Sequence, residues 1–179
     1  MRIRHAIIED AASISRVHVE SWRTTYRGIV PDHVLDSLNL ERNSIRWREM
    51  LSNMGEMKCL LVAENSQGHI IGFAAGGPNR ELRTGFNGEL YAIYILESYH
   101  GRNIGKKLVL KIADWLYRHK YTSMMVWVLE KNPAKHFYES MGGLFVSKKK
   151  IEIGQALLEE VSYGWTDLKV LLDRYSSPI

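Results

Sequence analysis

The segment ELYAIYIL, Glu89–Leu96, is apolar at nearly every position, so neither side of an extended chain here can face water. A strand of that composition has to lie inside a sheet, with other elements covering both faces. The flanking sequence supplies them. CLLVAE (Cys59–Glu64) and HIIGFAAG (His69–Gly76) precede it as two further strands, joined by the hairpin signal NSQG. GFNG (Gly85–Gly88) makes a turn just before it. Three consecutive strands on short connections are antiparallel neighbours. After Leu96 the apolar period lengthens to that of a helix from about Gly105, with Leu108, Ile112, Trp115 and Leu116 on one face.

The remaining elements follow from the same periods. Arg2–Ile7 reads as a strand, and Asp10 as the cap of a helix whose stripe is Ala11, Ile14, Val17, His18 and Trp22. Gly28 and Pro31 break that pattern. A short helix carries Val34, Leu35 and Leu38, and another carries Trp47, Met50, Leu51 and Met54. MMVWVL (Met124–Leu129) is a buried strand. In KNPAKHFYESMGG, Asn132 is placed to cap and Pro133 to open a helix; Ala134, Phe137, Tyr138 and Met141 form its apolar face, and Gly142 ends it. Two strands follow, near Leu144–Lys149 and Glu160–Trp165, and TDLKVLLDRY reads as a final helical turn or two. This order predicts one α/β domain over residues 1–179: a single mixed, twisted sheet of six to seven strands flanked by helices. The β-α-β-α-β section from Glu89 onward is expected to add parallel pairing.

Composition narrows the function classes. The single cysteine, Cys59, leaves no internal disulfide framework. No apolar run approaches the roughly 20 residues of a membrane span, and MRIRHAIIED meets acidic residues too early for a signal peptide. The expectation is a cytoplasmic protein with no membrane partner. The net charge of +4 comes without an arginine-rich arm or basic stripe, so no nucleic acid is expected either. Lys148–Lys150 reads as part of a solvated hairpin. His18-Val19-Glu20 is similar to the H-x-E of zinc deaminases, but one cysteine cannot supply their P-C-x-x-C, and no metal is expected.

LESYHGRNIGKKL (Leu96–Leu108) gathers glycines and cations where a strand gives way to a helix. Backbone N–H groups at a helix N-terminus lack internal acceptors and attract anions, so this turn reads as a phosphate or pyrophosphate site. It is not a P-loop: Gly101 to Gly105 is one residue short of G-x-x-x-x-G-K-[ST], and Lys107 stands where Ser or Thr belongs. It contains no G-x-G, so it is not a dinucleotide fingerprint.

Two stretches, ELYAIYILESYHGRNIGKKL and NPAKHFYESMGG, together with the element order, resemble the GNAT superfamily of acetyl-CoA-dependent N-acetyltransferases. The first is similar to that family's strand, pyrophosphate loop and helix. The second is similar to its N-x-x-A-x-x-F-Y segment. Three features depart from the pattern: His100 stands where Gln or Arg is usual, Asn103 where the loop's first glycine is usual, and Gly143-Leu144-Phe145 interrupts the Gly-Phe pair that ends the second segment in the family. Asparagine tolerates the left-handed conformation better than most residues.

The resemblance implies acetyl-CoA as co-substrate and the primary amine of a small molecule or peptide as acceptor. It implies that Ile93, Tyr94 and Ile95 run along the pantetheine arm, with Asn132 nearby. Gly101, Arg102, Asn103, Ile104, Gly105 and Lys106 would hold the pyrophosphate. Tyr138 would protonate the departing thiolate. Glu89 is the candidate general base, and Trp22 and Tyr26 are candidates for the acceptor wall. A homodimer is common in the family. The competing expectation is an acyl-CoA-binding regulator of the same fold that performs no turnover.

Overall fold

The computed structural model describes residues 1–176. It contains seven strands: β1 (Arg2–His5), β2 (Cys59–Glu64), β3 (Ile70–Pro78), β4 (Gly88–Ile95), β5 (Met124–Leu129), β6 (Leu144–Ile153) and β7 (Ala156–Trp165). The helices are α1 (Ala11–Thr25), α2 (Asp32–Asp36), α3 (Leu40–Ser52), α4 (Ile104–Arg118), α5 (Ala134–Ser140) and α6 (Leu168–Ser176). All seven strands join one mixed sheet in the order β1-β2-β3-β4-β5-β7-β6, as the fold class requires. Among the described residues, no helix is long and apolar enough to cross a membrane.

The sheet separates two cores. Strand β2 alternates between them: Leu60 and Val62 pack with Ile14, Val17, Trp47 and Phe73 under α1 and α3. Cys59, Leu61 and Ala63 pack on the other face with Leu108, Ile112 and Leu116 of α4 and Leu168 of α6. Full burial of one such leucine or isoleucine stabilises the fold by about 1.5–3 kcal/mol. Helix α4 lies very close to the sheet at Gly76, where an added Cβ would come within 2.6 Å of Ile112 Cγ2. A side chain at Gly76 would therefore lift the helix off β3 or displace Ile112.

Several local expectations needed correction. Strand β1 stops at His5 rather than Ile7, and Ile7 and Ile8 are exposed. Asp10 does not cap α1. Its carboxylate instead accepts Arg4 Nη1 at 2.6 Å, Arg4 Nη2 at 2.9 Å and the Ile7 N–H at 2.8 Å. The expected parallel pairing occurs between β4 and β5, but β5 does not pair with β6. Strand β7 inserts between them, antiparallel to both. Its apolar half explains the placement: Val161, Tyr163 and Trp165 are buried, whereas β6 carries three lysines and takes the edge. The β6–β7 hairpin is also longer than expected. Ile153 pairs with Ala156 across Gly154 (φ 56°) and Gln155 (φ 67°), a two-residue turn with both centres left-handed. The lysine run alternates as a strand must, so Lys148 and Lys150 are exposed while Lys149 is partly buried on the other face.

His18 does lie on the inward stripe of α1. Its ring stands 5.8 Å from Trp22, 5.7 Å from Trp47, 6.2 Å from Phe73 and 5.1 Å from Tyr94, between centroids. Trp47 Nε1 donates to His18 Nδ1 at 3.4 Å, and Asn43 Nδ2 lies 3.2 Å from the same nitrogen. An indole can only donate, so Nδ1 is the acceptor and the ring is neutral with its proton on Nε2. Burial pushes the imidazole pKa down to about 4, against a smaller opposing effect from Asn43. The unfolded chain therefore takes up a proton near pH 6.5 that the folded chain refuses until about pH 4. Stability attributable to His18 is complete above pH 6.5 and is lost as pH falls through that window, by on the order of 3 kcal/mol. Urea unfolding at pH 7 and pH 4.5 should show a steeper acid loss for wild type than for His18→Gln; parallel losses would exclude this role.

Candidate active site

The cleft originates where two strands part. Strands β4 and β5 pair through Gly88↔Met124, Glu89↔Met125 and Leu90↔Val126 and then separate. On its other side β4 pairs Leu90 with Gly76 and Ala92 with Ala75, which leaves Tyr91 as an extra residue. Such a bulge bends its strand, and this one lies immediately after the last β4–β5 pair. Strand β5 instead follows β7 out to Leu129↔Glu160. The wedge between them is a cleft of about 610 Å³, bordered by Tyr91–Ile95 of β4, Val126–Val128 of β5, the loop before α4, and the start of α5.

The backbone of β4 is partly open to this cleft. Leu96 donates its N–H to the Ile71 carbonyl at 3.0 Å, on the β3 side. Peptide groups alternate along a strand, so Tyr94 also turns its backbone to β3, and Ile93 and Ile95 turn theirs to the cleft. The Ile95 carbonyl is already engaged, by Ser21 Oγ at 3.2 Å and His100 Nε2 at 2.9 Å. The Ile93 N–H and C=O and the Ile95 N–H are left along the wall. Ser21 carried no functional signal in the sequence, beyond being a small polar residue on the inward face of α1.

The loop keeps the geometry a glycine would give it. Asn103 is left-handed, with φ 59° and ψ 15°, and Gly101 has φ 73°. A Cβ at Gly101 would meet nothing within 4 Å, so its backbone is open to approach. Ile104, Gly105 and Lys106 form the first turn of α4 and border the cleft. His100 ties the loop to β4 through the Ile95 carbonyl, which accounts physically for one departure from the family pattern. Lys106 Nζ stands 3.9 Å from the ring centre of Tyr175 on α6. Arg102 does not border the cleft; its guanidinium lies 5.1 Å from the ring centre of Tyr99.

The opposite wall comes from α5. Pro133 is already helical (φ −57°, ψ −21°), and Asn132 Oδ1 accepts the Ala134 N–H at 2.9 Å, so Asn132 does the capping work one residue before the helix. Helix α5 ends at Gly142 (φ 84°), with Gly142 donating to the Glu139 carbonyl and Gly143 to the Tyr138 carbonyl, a Schellman stop. This short, doubly capped helix holds Tyr138 at the cleft, 4% exposed, with Tyr163 and Trp165 rings each 6.4 Å away. Burial raises the Tyr138 phenol above its ordinary value, and the nearby Tyr26 adds to the shift. Tyr26 borders the cleft and is likewise raised by burial.

Other expected residues stand elsewhere. Glu89 does not border the cleft. It is 2% exposed, and its carboxylate accepts the Arg80 N–H and Nε, each at 3.0 Å, and also Arg80 Nη2. Trp22 stands behind Tyr26, ring centres 4.8 Å apart, and packs with Val30, Leu35 and Leu129. Sequence reasoning missed Trp127, which reads as an ordinary buried strand residue but forms part of the cleft wall.

Residues 18–143 match the acetyltransferase (GNAT) family. Over 175 residues the chain is 41% identical to YuaI of Bacillus subtilis (strain 168), an uncharacterized N-acetyltransferase, across 96% of this chain and 98% of that one. Spermidine N(1)-acetyltransferase of Thermoplasma acidophilum is 27% identical over 165 residues, covering 85% and 98% of the two chains. Among solved structures, the PaiA N-acetyltransferase of Thermoplasma acidophilum in complex with coenzyme A has the same fold, with a TM-score of 0.64 at 22% identity over 89% of this chain and 96% of that one. An N-acetyltransferase of Staphylococcus aureus Mu50 aligns with a TM-score of 0.71 at 17% identity, over 93% and 98%. The chain belongs to the GNAT family of acetyltransferases and is an acyltransferase.

The loop geometry makes a direct demand on Asn103. Asn103→Gly should leave the melting temperature and any coenzyme A affinity close to wild type. Asn103→Val should cost about 1–3 kcal/mol, because a β-branched residue is strained where φ is positive. Thermal unfolding checks this, and equal stability of the two variants would contradict it.

Proposed function

We propose that the chain transfers an acetyl group from acetyl-CoA to the primary amine of a small molecule or peptide, by direct attack in the β4–β5 cleft. The observation that carries this reading is the three-pair junction of β4 and β5, which opens strand backbone, a helix N-terminus and a buried phenol onto one space. The fit to the co-substrate is chemical. The open peptide groups of Ile93 and Ile95 suit an extended, amide-bearing arm, which can add to a strand edge. The first-turn N–H groups of Ile104, Gly105 and Lys106 suit a pyrophosphate. Acetyl-CoA, when bound, supplies an activated thioester. The solved PaiA relative was crystallised with coenzyme A, which supports the same co-substrate here.

The chain's own contribution to the chemistry lies mainly at Tyr138. The amine nitrogen forms a bond to the acetyl carbon as the C–S bond breaks, and the departing sulfur takes a proton. A phenol is protonated through the neutral range, and burial raises Tyr138 further, so its hydroxyl carries the proton that the sulfur takes. The N–H of Ile93 faces the cleft and suits the role of a donor to the thioester oxygen. Tyr26 stands on the acceptor side. Glu89 is bound on two faces by Arg80, so this reading gives it a structural task and leaves removal of the amine proton to water in the open cleft. A regulator without turnover would be favoured if the departures at His100 and Asn103 disrupted the loop. Both fit within the loop's geometry, so neither now favours a protein without turnover.

Isothermal titration should detect acetyl-CoA binding; no heat at millimolar ligand would overturn the proposal. Tyr138→Phe should lower kcat by about 100-fold or more while leaving coenzyme A affinity within about threefold. An unchanged kcat would remove Tyr138 from the chemistry. Glu89→Gln should retain the pH profile of kcat/KM but lose about 1–3 kcal/mol of unfolding free energy. Loss of the basic limb of activity with stability intact would instead restore Glu89 as the base.

A further inference from the structure

Lys149 holds an unusual position for an edge-strand lysine. It turns inward from β6, and its ammonium stands 3.9 Å from the ring centre of Trp127, two strands away. The same ammonium pairs with Glu81, from the segment between β3 and β4, and lies 3.9 Å from Glu160 Oε2, its cross-strand neighbour. An aromatic face with two carboxylates is a cation site by its chemistry. The cation now seated in it is tethered to the chain.

Three observations connect this cage to the cleft. Trp127 is one of the residues that border the cleft, and its ring is the face on which Lys149 rests, so the cage adjoins the cleft at this residue. Its indole N–H is buried with no acceptor among the described residues, as expected of a wall that a ligand completes. Tyr26, on the acceptor side of the cleft, lies within electrostatic reach of Glu160 as well as of Tyr138. The Lys149 side chain is 37% exposed and Glu81 41% exposed. A pair so placed is individually weak and can be exchanged.

Resting on the acetyltransferase reading, we propose that the Trp127–Glu81–Glu160 cage is a second subsite for the acceptor, and that Lys149 occupies it until an acceptor with a second cationic nitrogen displaces it. One amine of such a dibasic acceptor enters the cleft while its distal ammonium takes the place of the Lys149 ammonium over Trp127. The charge balance of the cage is the same before and after the exchange, so no carboxylate is left bare. The preferred substrate class is therefore a diamine or polyamine, or a peptide with a basic side chain near its reacting amine.

The test is a binding experiment that does not require turnover. Titration calorimetry with 1,4-diaminobutane and with n-butylamine, each with and without coenzyme A, is run on wild type, Lys149→Met and the double variant Lys149→Met/Glu160→Gln. Removal of Lys149 should tighten diamine binding about tenfold and leave n-butylamine unchanged. The double variant should lose that gain. An equal effect of Lys149→Met on both amines, or weaker diamine binding, overturns the proposal. Acetyl-CoA titration on the same samples separates the two readings. If acetyl-CoA binds and the diamine gain is missing, only the cage fails; if acetyl-CoA does not bind, the enzyme reading fails whatever the amines do. Circular dichroism on each variant confirms that a lost gain is not lost fold.

Discussion

The contact between β4 and β5 is only three residue pairs long, and the rest of the site depends on how briefly it holds. A longer pairing would close the wedge and satisfy the Ile93 and Ile95 peptide groups within the sheet. A shorter one would sever the four strands β1–β4 from the three strands β5–β7. The bulge at Tyr91 sets the length, because it turns β4 away just after Leu90. The parted strands stay in place because each is secured elsewhere. Strand β4 is held by β3 and by the two cores, and β5 by six pairs to β7.

The local part of this arrangement is legible in the sequence. ELYAIYIL demands cover on both faces, and the observed cores provide it. NPAKHFYESMGG carries its own start and stop, and the structure uses both. Asn103 was legible as a residue able to take a left-handed turn, and it takes one. What was not legible is non-local. Nothing within β6 or β7 says that β7 will lie beside β5, since strand order depends on which surface best buries Tyr163 and Trp165. Arg80 and Glu89 lie nine residues apart, across the turn before β4, so the sequence showed the carboxylate of Glu89 without showing its partner. The inward turn of Lys149 depends on the full length of β6, which rests on the left-handed Gly154-Gln155 turn, and Gln155 is not a residue that signals such a turn.

Four cations in this protein lie against aromatic rings. Arg80 stands 4.6 Å from the ring centre of Tyr91, Arg102 lies over Tyr99, Lys106 over Tyr175 and Lys149 over Trp127. Such contacts orient a charge without neutralising it. For Lys106 this has structural reach, since Tyr175 belongs to α6 and the contact ties that helix to the first turn of α4. Two glutamates behave differently: Glu89 is buried and fully engaged by Arg80, whereas burial pushes Glu160 up and Lys149 partly offsets it. Glu160 is thus the more responsive of the two to the arrival of a new charge.

The seam between β4 and β5 also has a mechanical meaning. The two half-sheets meet through only three pairs of strand residues, at one end of the seam, while α4 and the core beneath it bridge both halves. An extended molecule that hydrogen-bonded β4 and touched α5 would stitch the open end, supplying bonds that the polypeptide leaves unmade. Occupancy of the cleft would be registered far from the cleft itself, as slower amide exchange in β5 and β7 and as resistance to unfolding that grows with ligand concentration.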